Sequence, residues 1–91
     1  MVDLTVETKQ YRFSVSSGFD YIVIFLCNKL KEYPDMGSYH YLTKKEVQAL
    51  IKYLKEEIPE KERVRCDSII DRLSSLEMLM NGKEKATFHF W

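Results

Sequence analysis

The stretch LTKKEVQALIKYLKEEIPEKERVRCDSIIDRLSSLEMLMNG, residues 42–82, predicts two helices joined by a short bend. Thr43 and Glu46 have the spacing of a capping box, which marks the start of the first helix. Its apolar stripe consists of Val47, Leu50, Ile51, Leu54 and Ile58, and that of the second helix of Cys66, Ile69, Ile70, Leu73, Leu76 and Met80. Pro59 separates the two, so the stretch predicts an antiparallel helical hairpin.

Alternating apolar residues upstream predict a β-hairpin over the first sixteen residues. A two-residue turn at Thr8-Lys9 pairs Val6 with Tyr11, Leu4 with Phe13 and Val2 with Val15, which places all six on one face. Thr-Lys is not a favoured two-residue turn, so one long bulged strand is the alternative.

The chain after the helical hairpin alternates again. In residues 84–91, EKATFHFW, the side chains of Ala86, Phe88 and Phe90 are in phase, and His89 points to the opposite face. We predict a closing strand that pairs with the N-terminal hairpin. Residues 39–42 add an optional short strand before the helices.

Residues 17–33 fit two structures. The run Ile22-Val23-Ile24 favours a strand, whereas the apolar spacing along the segment favours a helix. Ser17 and Asp20 resemble a capping box and Pro34 supplies a stop, so we predict a helix. Its off-stripe apolar residues, Tyr21, Ile24 and Phe25, form a second patch that the sheet and another helix, or another molecule, must cover.

These elements predict one small α+β domain over residues 1–91, in the order ββα(β)ααβ. The N-terminal β-hairpin and the C-terminal strand form an antiparallel sheet that packs against about three helices.

Charge and length exclude several classes of protein. The chain has 14 basic and 14 acidic residues, so nothing attracts nucleic acid or an anionic membrane over long range. The first ten residues lack the pattern of a secretion signal, and the apolar run at residues 21–27 is too short to span a bilayer. We therefore expect a cytoplasmic protein with no membrane association and, having two cysteines, no disulfide framework.

Residues that could carry chemistry are few and scattered. The two cysteines and two histidines, Cys27, His40, Cys66 and His89, lack the paired spacing of a zinc site, and no serine lies in a GxSxG context. Gly18 precedes the first predicted helix, but a turn is a simpler role for it than anion binding. We expect no enzymatic activity, no cofactor and no metal.

The loop EYPDMGSYHYLT, residues 32–43, is the best candidate for a binding surface. In a structural interpretation Tyr39 and Tyr41 point inward and Leu42 forms a hydrophobic staple with Val47. In a functional interpretation the loop binds a partner together with the first helix. That interface consists of Tyr21, Phe25, Tyr33, Met36, Tyr39, His40 and Tyr41.

The sequence thus predicts a small intracellular protein-interaction module that binds itself as a homodimer or binds a larger protein. A phage or mobile-element inhibitor, or an antitoxin-like regulator, suits such a chain. The alternative is a small-ligand or nucleic-acid binding module that uses exposed tyrosines, with nucleic acid disfavoured by the zero net charge.

Overall fold

The computed structural model describes residues 3–91. Within that range the elements are β1 (Leu4–Glu7), β2 (Arg12–Val15), α1 (Asp20–Lys29), β3 (Tyr39–Thr43), α2 (Lys44–Glu56), α3 (Glu60–Leu79) and β4 (Lys85–Phe90). The strands form one antiparallel sheet in the order β2-β1-β4-β3. The predicted α+β class and element order are confirmed, and the optional strand is present as β3.

The register of the N-terminal hairpin differs from the prediction. Leu4 pairs with Val15 and Val6 pairs with Phe13, two residues away from the predicted partners. Because the shift is even, Leu4, Val6 and Phe13 still share one buried face. The predicted pair of Val2 with Val15 involves a residue outside the described range.

The turn chemistry explains this shift. The connection is not the two residues Thr8-Lys9 but residues 8–11, since Glu7 and Arg12 are the last paired residues. Thr8 Oγ1 accepts the N–H groups of Gln10 and Tyr11 at 3.4 and 3.2 Å, and the Thr8 N–H donates to the Tyr11 carbonyl at 2.7 Å. A threonine that bonds to the backbone in this way favours the longer loop.

Helix α1 confirms the helical interpretation of residues 17–33 but is shorter than predicted. It begins after Phe19, which makes no side-chain capping bond, so the predicted capping box of Ser17 and Asp20 is wrong. The helix ends at Lys29, five residues before Pro34, so the proline is not what ends it. Lys31 has a left-handed backbone with φ of 56°, and this residue turns the chain out of the helix.

Helices α2 and α3 follow the prediction closely. Both capping-box bonds are present, from the Thr43 N–H to Glu46 Oε1 at 2.8 Å and from the Glu46 N–H to Thr43 Oγ1 at 3.2 Å. All the predicted stripe residues of both helices are buried. Among the helices of residues 3–91, none combines the length and the apolar character needed to cross a membrane.

The core lies between one face of the sheet and the helices. The strand residues that enter it are Leu4, Val6, Phe13, His40, Leu42, Ala86, Phe88 and Phe90. The alternate residues of the same strands point the other way and include Glu7, Arg12, Tyr39, Tyr41, Thr87 and His89. The helices described here leave this second face open, so it is where the sheet can meet another molecule.

Candidate functional site: the aromatic face of the sheet

Strand β3 presents its tyrosines to solvent. Tyr39 and Tyr41 are each 55% exposed, whereas His40 and Leu42 are buried. Side chains alternate along a strand, so the buried Leu42 requires His40 to point inward and both tyrosines outward. The interpretation that placed Tyr39 and Tyr41 toward the core is therefore wrong.

A turn and a β-bulge set the start of β3. The Ser38 N–H donates to the Asp35 carbonyl at 2.9 Å, and Gly37 within this turn has φ of 82°. The Gly37 N–H donates to the Phe90 carbonyl at 2.6 Å, while the Phe90 N–H donates to the Ser38 carbonyl at 3.0 Å. Gly37 and Ser38 thus lie opposite the single residue Phe90. This is a β-bulge whose first residue is a glycine with a left-handed backbone.

Four rings lie on the open face, and we call them the aromatic face: Tyr39, Tyr41, His89 and Trp91. The Tyr39 and His89 rings are stacked, with centroids 4.1 Å apart and planes 4° apart. Tyr41 lies two residues further along β3, opposite Thr87 on β4. Tyr39 and Tyr41 therefore lie along the β3 edge of the open face, with His89 beside them on β4.

Trp91 extends this surface across the sheet. Its indole N–H donates to Thr5 Oγ1 at 2.8 Å, and Thr5 Oγ1 lies 2.9 Å from Ser14 Oγ on β2. The indole covers Thr5, which is buried although it lies on the open face, and stays 47% exposed itself. A ring that is anchored by its polar atom and exposed on its apolar face is suited to binding a partner at low entropic cost.

The charges around the aromatic face are mixed. An open groove of about 530 Å³ at the turn end of the sheet is lined by Glu7, Thr8, Lys9, Asn81, Lys83, Glu84, Lys85 and Thr87. The Glu84 carboxylate accepts the backbone N–H groups of Lys9 and Asn81 at 3.1 and 3.4 Å. Three lysines and two glutamates line the groove, so its formal charge is nearly balanced and differs from the strongly positive groove on which polyanion binding depends.

The interface residues predicted on α1 do not join this surface. Phe25 is only 3% exposed, and its ring packs 5.5 Å from that of Tyr53 on α2. The expectation of an exposed Phe25 is wrong because Tyr53 of α2 packs against it, whereas Ile24 of the same predicted patch stays 40% exposed. Tyr21 is half-buried against the core. Burial, and secondarily the Glu57 carboxylate, raises the pKa of Tyr53.

The loop residues predicted for the interface are exposed. Tyr33 and Met36 both lie in the segment before β3 and project into solvent. Met36 directly precedes Gly37, whose N–H bonds to the Phe90 carbonyl next to Trp91. Met36 therefore borders the end of the sheet that carries Trp91.

His40, predicted at the interface, is instead the centre of a buried network. It is 7% exposed, with Nδ1 2.7 Å from Glu32 Oε1 and Nε2 2.9 Å from Ser38 Oγ. Its ring meets that of Phe90 edge-on at 5.6 Å. The network ties the loop before β3 to the strand and so fixes the position of Tyr39.

The connectivity of Ser38, His40 and Glu32 is that of a nucleophile, a base and an orienting carboxylate. Ser38 Oγ, however, also accepts the Asp35 N–H at 2.9 Å. The N–H groups of Gly37 and Ser38, which flank this hydroxyl, are already donated to carbonyls of Phe90 and Asp35. With these donors engaged, the network holds a turn and offers no ready oxyanion site.

The cysteines and histidines predicted as scattered are not brought together. In the part of the chain that the structure describes, no three His, Cys, Asp or Glu side chains converge on a point that could hold a metal. Cys66 is buried on α3, with Sγ 4.0 Å from the Gly18 carbonyl. Burial raises the pKa of the Cys66 thiol, and nearby Arg65 only partly offsets this effect.

Cys66 is therefore expected to resist thiol reagents at neutral pH. Because the pKa is raised, the thiol of the folded protein stays protonated through the range in which the thiol of an unfolded chain loses its proton, so the free energy of unfolding falls as the pH rises through that range to the raised value. In a Cys27→Ser variant, labelling of Cys66 followed by mass spectrometry should be slow at pH 7 and accelerate only in alkaline buffer. Fast labelling at pH 7, without unfolding, contradicts this prediction.

The surroundings of Gly18 do not suit an anion. The recess beside it encloses about 10 Å³ and is lined in part by the acidic Asp20 and Glu62, and the one basic residue of the lining, Arg65, is paired with Glu62 at 3.0 Å. A volume of about 10–15 Å³ holds a single water molecule, and carboxylates repel phosphate. A small-ligand site at this glycine has no support in the geometry.

Two members of the aromatic face were not among the predicted interface residues. His89 was predicted to point away from Phe88 and Phe90, as observed, but was given no binding role. Trp91 was missed, although it continues the outward phase of Lys85, Thr87 and His89. The alternation that places Ala86, Phe88 and Phe90 on the buried side of β4 also places His89 and Trp91 on its open side.

No protein-family model, curated protein or solved structure matches the chain. Function is therefore inferred from the geometry of the aromatic face.

Proposed function

We propose that this protein is a non-enzymatic interaction module that binds a protein partner through the aromatic face. The observation that carries the proposal is the stacked pair of Tyr39 and His89, flanked by Tyr41 and Trp91, on a face of the sheet that the described helices leave open. Tryptophan and tyrosine are the residues that most often supply binding energy in protein interfaces.

The balance of charge favours a protein over a polyanion. The chain has zero formal net charge, and the groove beside the face mixes lysines with glutamates. Single-stranded nucleic acid is the second candidate, because exposed rings on an open sheet can stack on bases and Lys83 and Lys85 lie beside them. It ranks second because binding of this kind depends on a positive groove.

The cellular role belongs to the same proposal. A small, charge-balanced chain that acts by covering the surface of a larger protein suits a cytoplasmic inhibitor or an antitoxin-like regulator, such as those of phages and mobile elements. Such a regulator needs a rigid binding surface, and the bond of Trp91 to Thr5 and the network of His40 supply rigidity.

The variant Tyr39→Ala/Trp91→Ala is expected to lose partner binding at least tenfold. Interface hot spots typically contribute about 2 kcal/mol or more each, so removal of two rings from the centre of the surface should exceed that threshold. The test is capture of partners from the native host by the immobilised wild type and variant. Trp91 is the single tryptophan of the chain, so its fluorescence then reports binding of a purified partner.

A matched control removes two exposed apolar side chains elsewhere. Val64→Ala/Met78→Ala trims residues of α3 that are at least as exposed as the rings, and it should leave binding unchanged. Equal loss in both variants, or none in the ring variant while it stays folded, contradicts the proposal. Binding of a single-stranded oligonucleotide, followed by fluorescence anisotropy, supports the second candidate instead.

A further inference from the structure

The backbone of β3 has a free hydrogen-bonding edge. The Phe90 N–H bonds to the Ser38 carbonyl, so by alternation His40 and Leu42 are the β3 residues that bond to β4. The N–H and C=O groups of Tyr39 and Tyr41 therefore point away from β4. Thr43 has the same phase, and its N–H does leave the sheet, to Glu46 Oε1 at 2.8 Å.

The sequence of this edge offers no protection against pairing. Over the chain from residue 3 onward, β3 pairs with β4 alone and lies at one end of the strand order. Its five residues, YHYLT, include no lysine, glutamate or proline, which are the residues that commonly block edge strands. The opposite edge, β2, is shorter and carries Arg12.

We propose that β3 pairs antiparallel with β3 of a second copy of this chain, about a two-fold axis at His40. In this register Tyr39 faces Tyr41 of the second copy, and Tyr41 faces its Tyr39. Each facing pair exchanges two N–H···O=C bonds, so the free backbone groups of both tyrosines are satisfied in both copies. A register centred on Tyr41 requires the N–H of Thr43, which the capping box already uses.

The side chains and charges favour a second copy as the occupant. Cross-strand aromatic pairs stabilise a sheet, and this register places each exposed tyrosine beside one from the other copy. The aromatic faces then join into one continuous surface. Zero net charge removes the general repulsion that opposes self-association. A two-fold contact also requires a self-complementary patch, which an unblocked edge strand provides.

This inference deepens the proposed function, because it names a second copy as one partner. It rests on that proposal for the interaction role of Tyr39 and Tyr41, but it uses their backbone edge and not the apolar surface of Trp91. The two can therefore fail separately.

The test is the absolute molar mass by light scattering over a wide range of protein concentration. The wild type should move from the monomer mass to the dimer mass as concentration rises. Tyr41→Pro removes an outward N–H at a position where an edge strand tolerates proline, and it should stay monomeric. Thr87→Lys, on the same open face but on β4, is the matched control and should dimerise like the wild type.

A second variant and a second measurement keep the inference testable if Tyr41→Pro fails to fold. Tyr39→Lys/Tyr41→Lys places like charges opposite each other in the dimer and should also be monomeric. Amide hydrogen exchange at Tyr39 and Tyr41 should slow with rising wild-type concentration. A wild type that is monomeric at every concentration, or a dimer that both edge variants leave intact, overturns the inference.

The outcomes also separate this inference from the proposed function. If Tyr41→Pro abolishes the dimer and removal of the Trp91 ring leaves partner capture unchanged, the edge contact is supported and the aromatic face is contradicted as a docking surface. If partner capture depends on Trp91 and the protein never dimerises, the aromatic face is supported as a docking surface and the edge contact is contradicted.

Discussion

Phe88→Ala is expected to lower the free energy of unfolding by about 3–5 kcal/mol, the usual effect of removing a buried phenylalanine ring. Phe88 is fully buried at the middle of β4, where it pairs with Val6 on one side and His40 on the other. Because small domains are stable by about 5–15 kcal/mol, this loss is a large share of the total. Urea denaturation should show a lower midpoint with an unchanged slope.

The neighbouring residue provides the control. Thr87→Ala changes the same strand on its open face and is expected to lower the free energy of unfolding by less than about 1 kcal/mol. If the two variants unfold at similar urea concentrations, Phe88 does not occupy the centre of the core. The pair therefore tests the assignment of the two faces of β4, on which the aromatic face depends.

Helices α2 and α3 could be predicted because their determinants are local. The capping box of Thr43 and Glu46 lies within one helical turn, and the apolar stripes repeat within each helix. Nothing from the rest of the chain is needed to interpret them. The same holds for the buried phase of β4, which alternates over consecutive residues.

The orientation of β3 was also present in the sequence, although the structural interpretation turned the tyrosines inward while the functional interpretation left them exposed. Leu42 was expected to be buried as a staple, and the strand alternation then turns Tyr39 and Tyr41 outward and His40 inward. The structural interpretation gave more weight to the apolar rings of the tyrosines than to this strand alternation. A single buried residue of known phase is stronger evidence for a strand than the hydrophobicity of its neighbours.

Contacts between distant elements could not be predicted in the same way. Of the off-stripe residues of α1, Phe25 is covered by Tyr53 of α2, which lies 28 positions later in the sequence, whereas Ile24 stays exposed. Trp91 becomes part of a surface only because its indole reaches Thr5, which lies 86 positions earlier. Sequence periodicity shows that a patch must be covered, but it does not show which element covers it.

The two glycines with a left-handed backbone allow a matched test of packing at the connection between β2 and α1. Gly18 and Gly37 have nearly identical φ angles, 81° and 82°, both in the left-handed region, so alanine is strained at each. A Cβ at Gly37 meets no atom within 4 Å, whereas one at Gly18 lies 3.2 Å from the Arg65 carbonyl oxygen and 3.6 Å from Ile69 Cδ1.

Gly37→Ala is expected to lower the free energy of unfolding by about 1–2 kcal/mol, the strain of a left-handed alanine. Gly18→Ala adds crowding against the backbone of α3 and should lower it by about 2–4 kcal/mol. Urea denaturation of both variants isolates the crowding as their difference. Equal losses contradict close packing at Gly18, and a stabilisation of the wild type by a low concentration of phosphate that chloride does not reproduce and that Gly18→Ala abolishes indicates an anion site there instead. Since a carbonyl and an isoleucine already occupy the space beside Gly18, we expect the unequal result and no effect of phosphate.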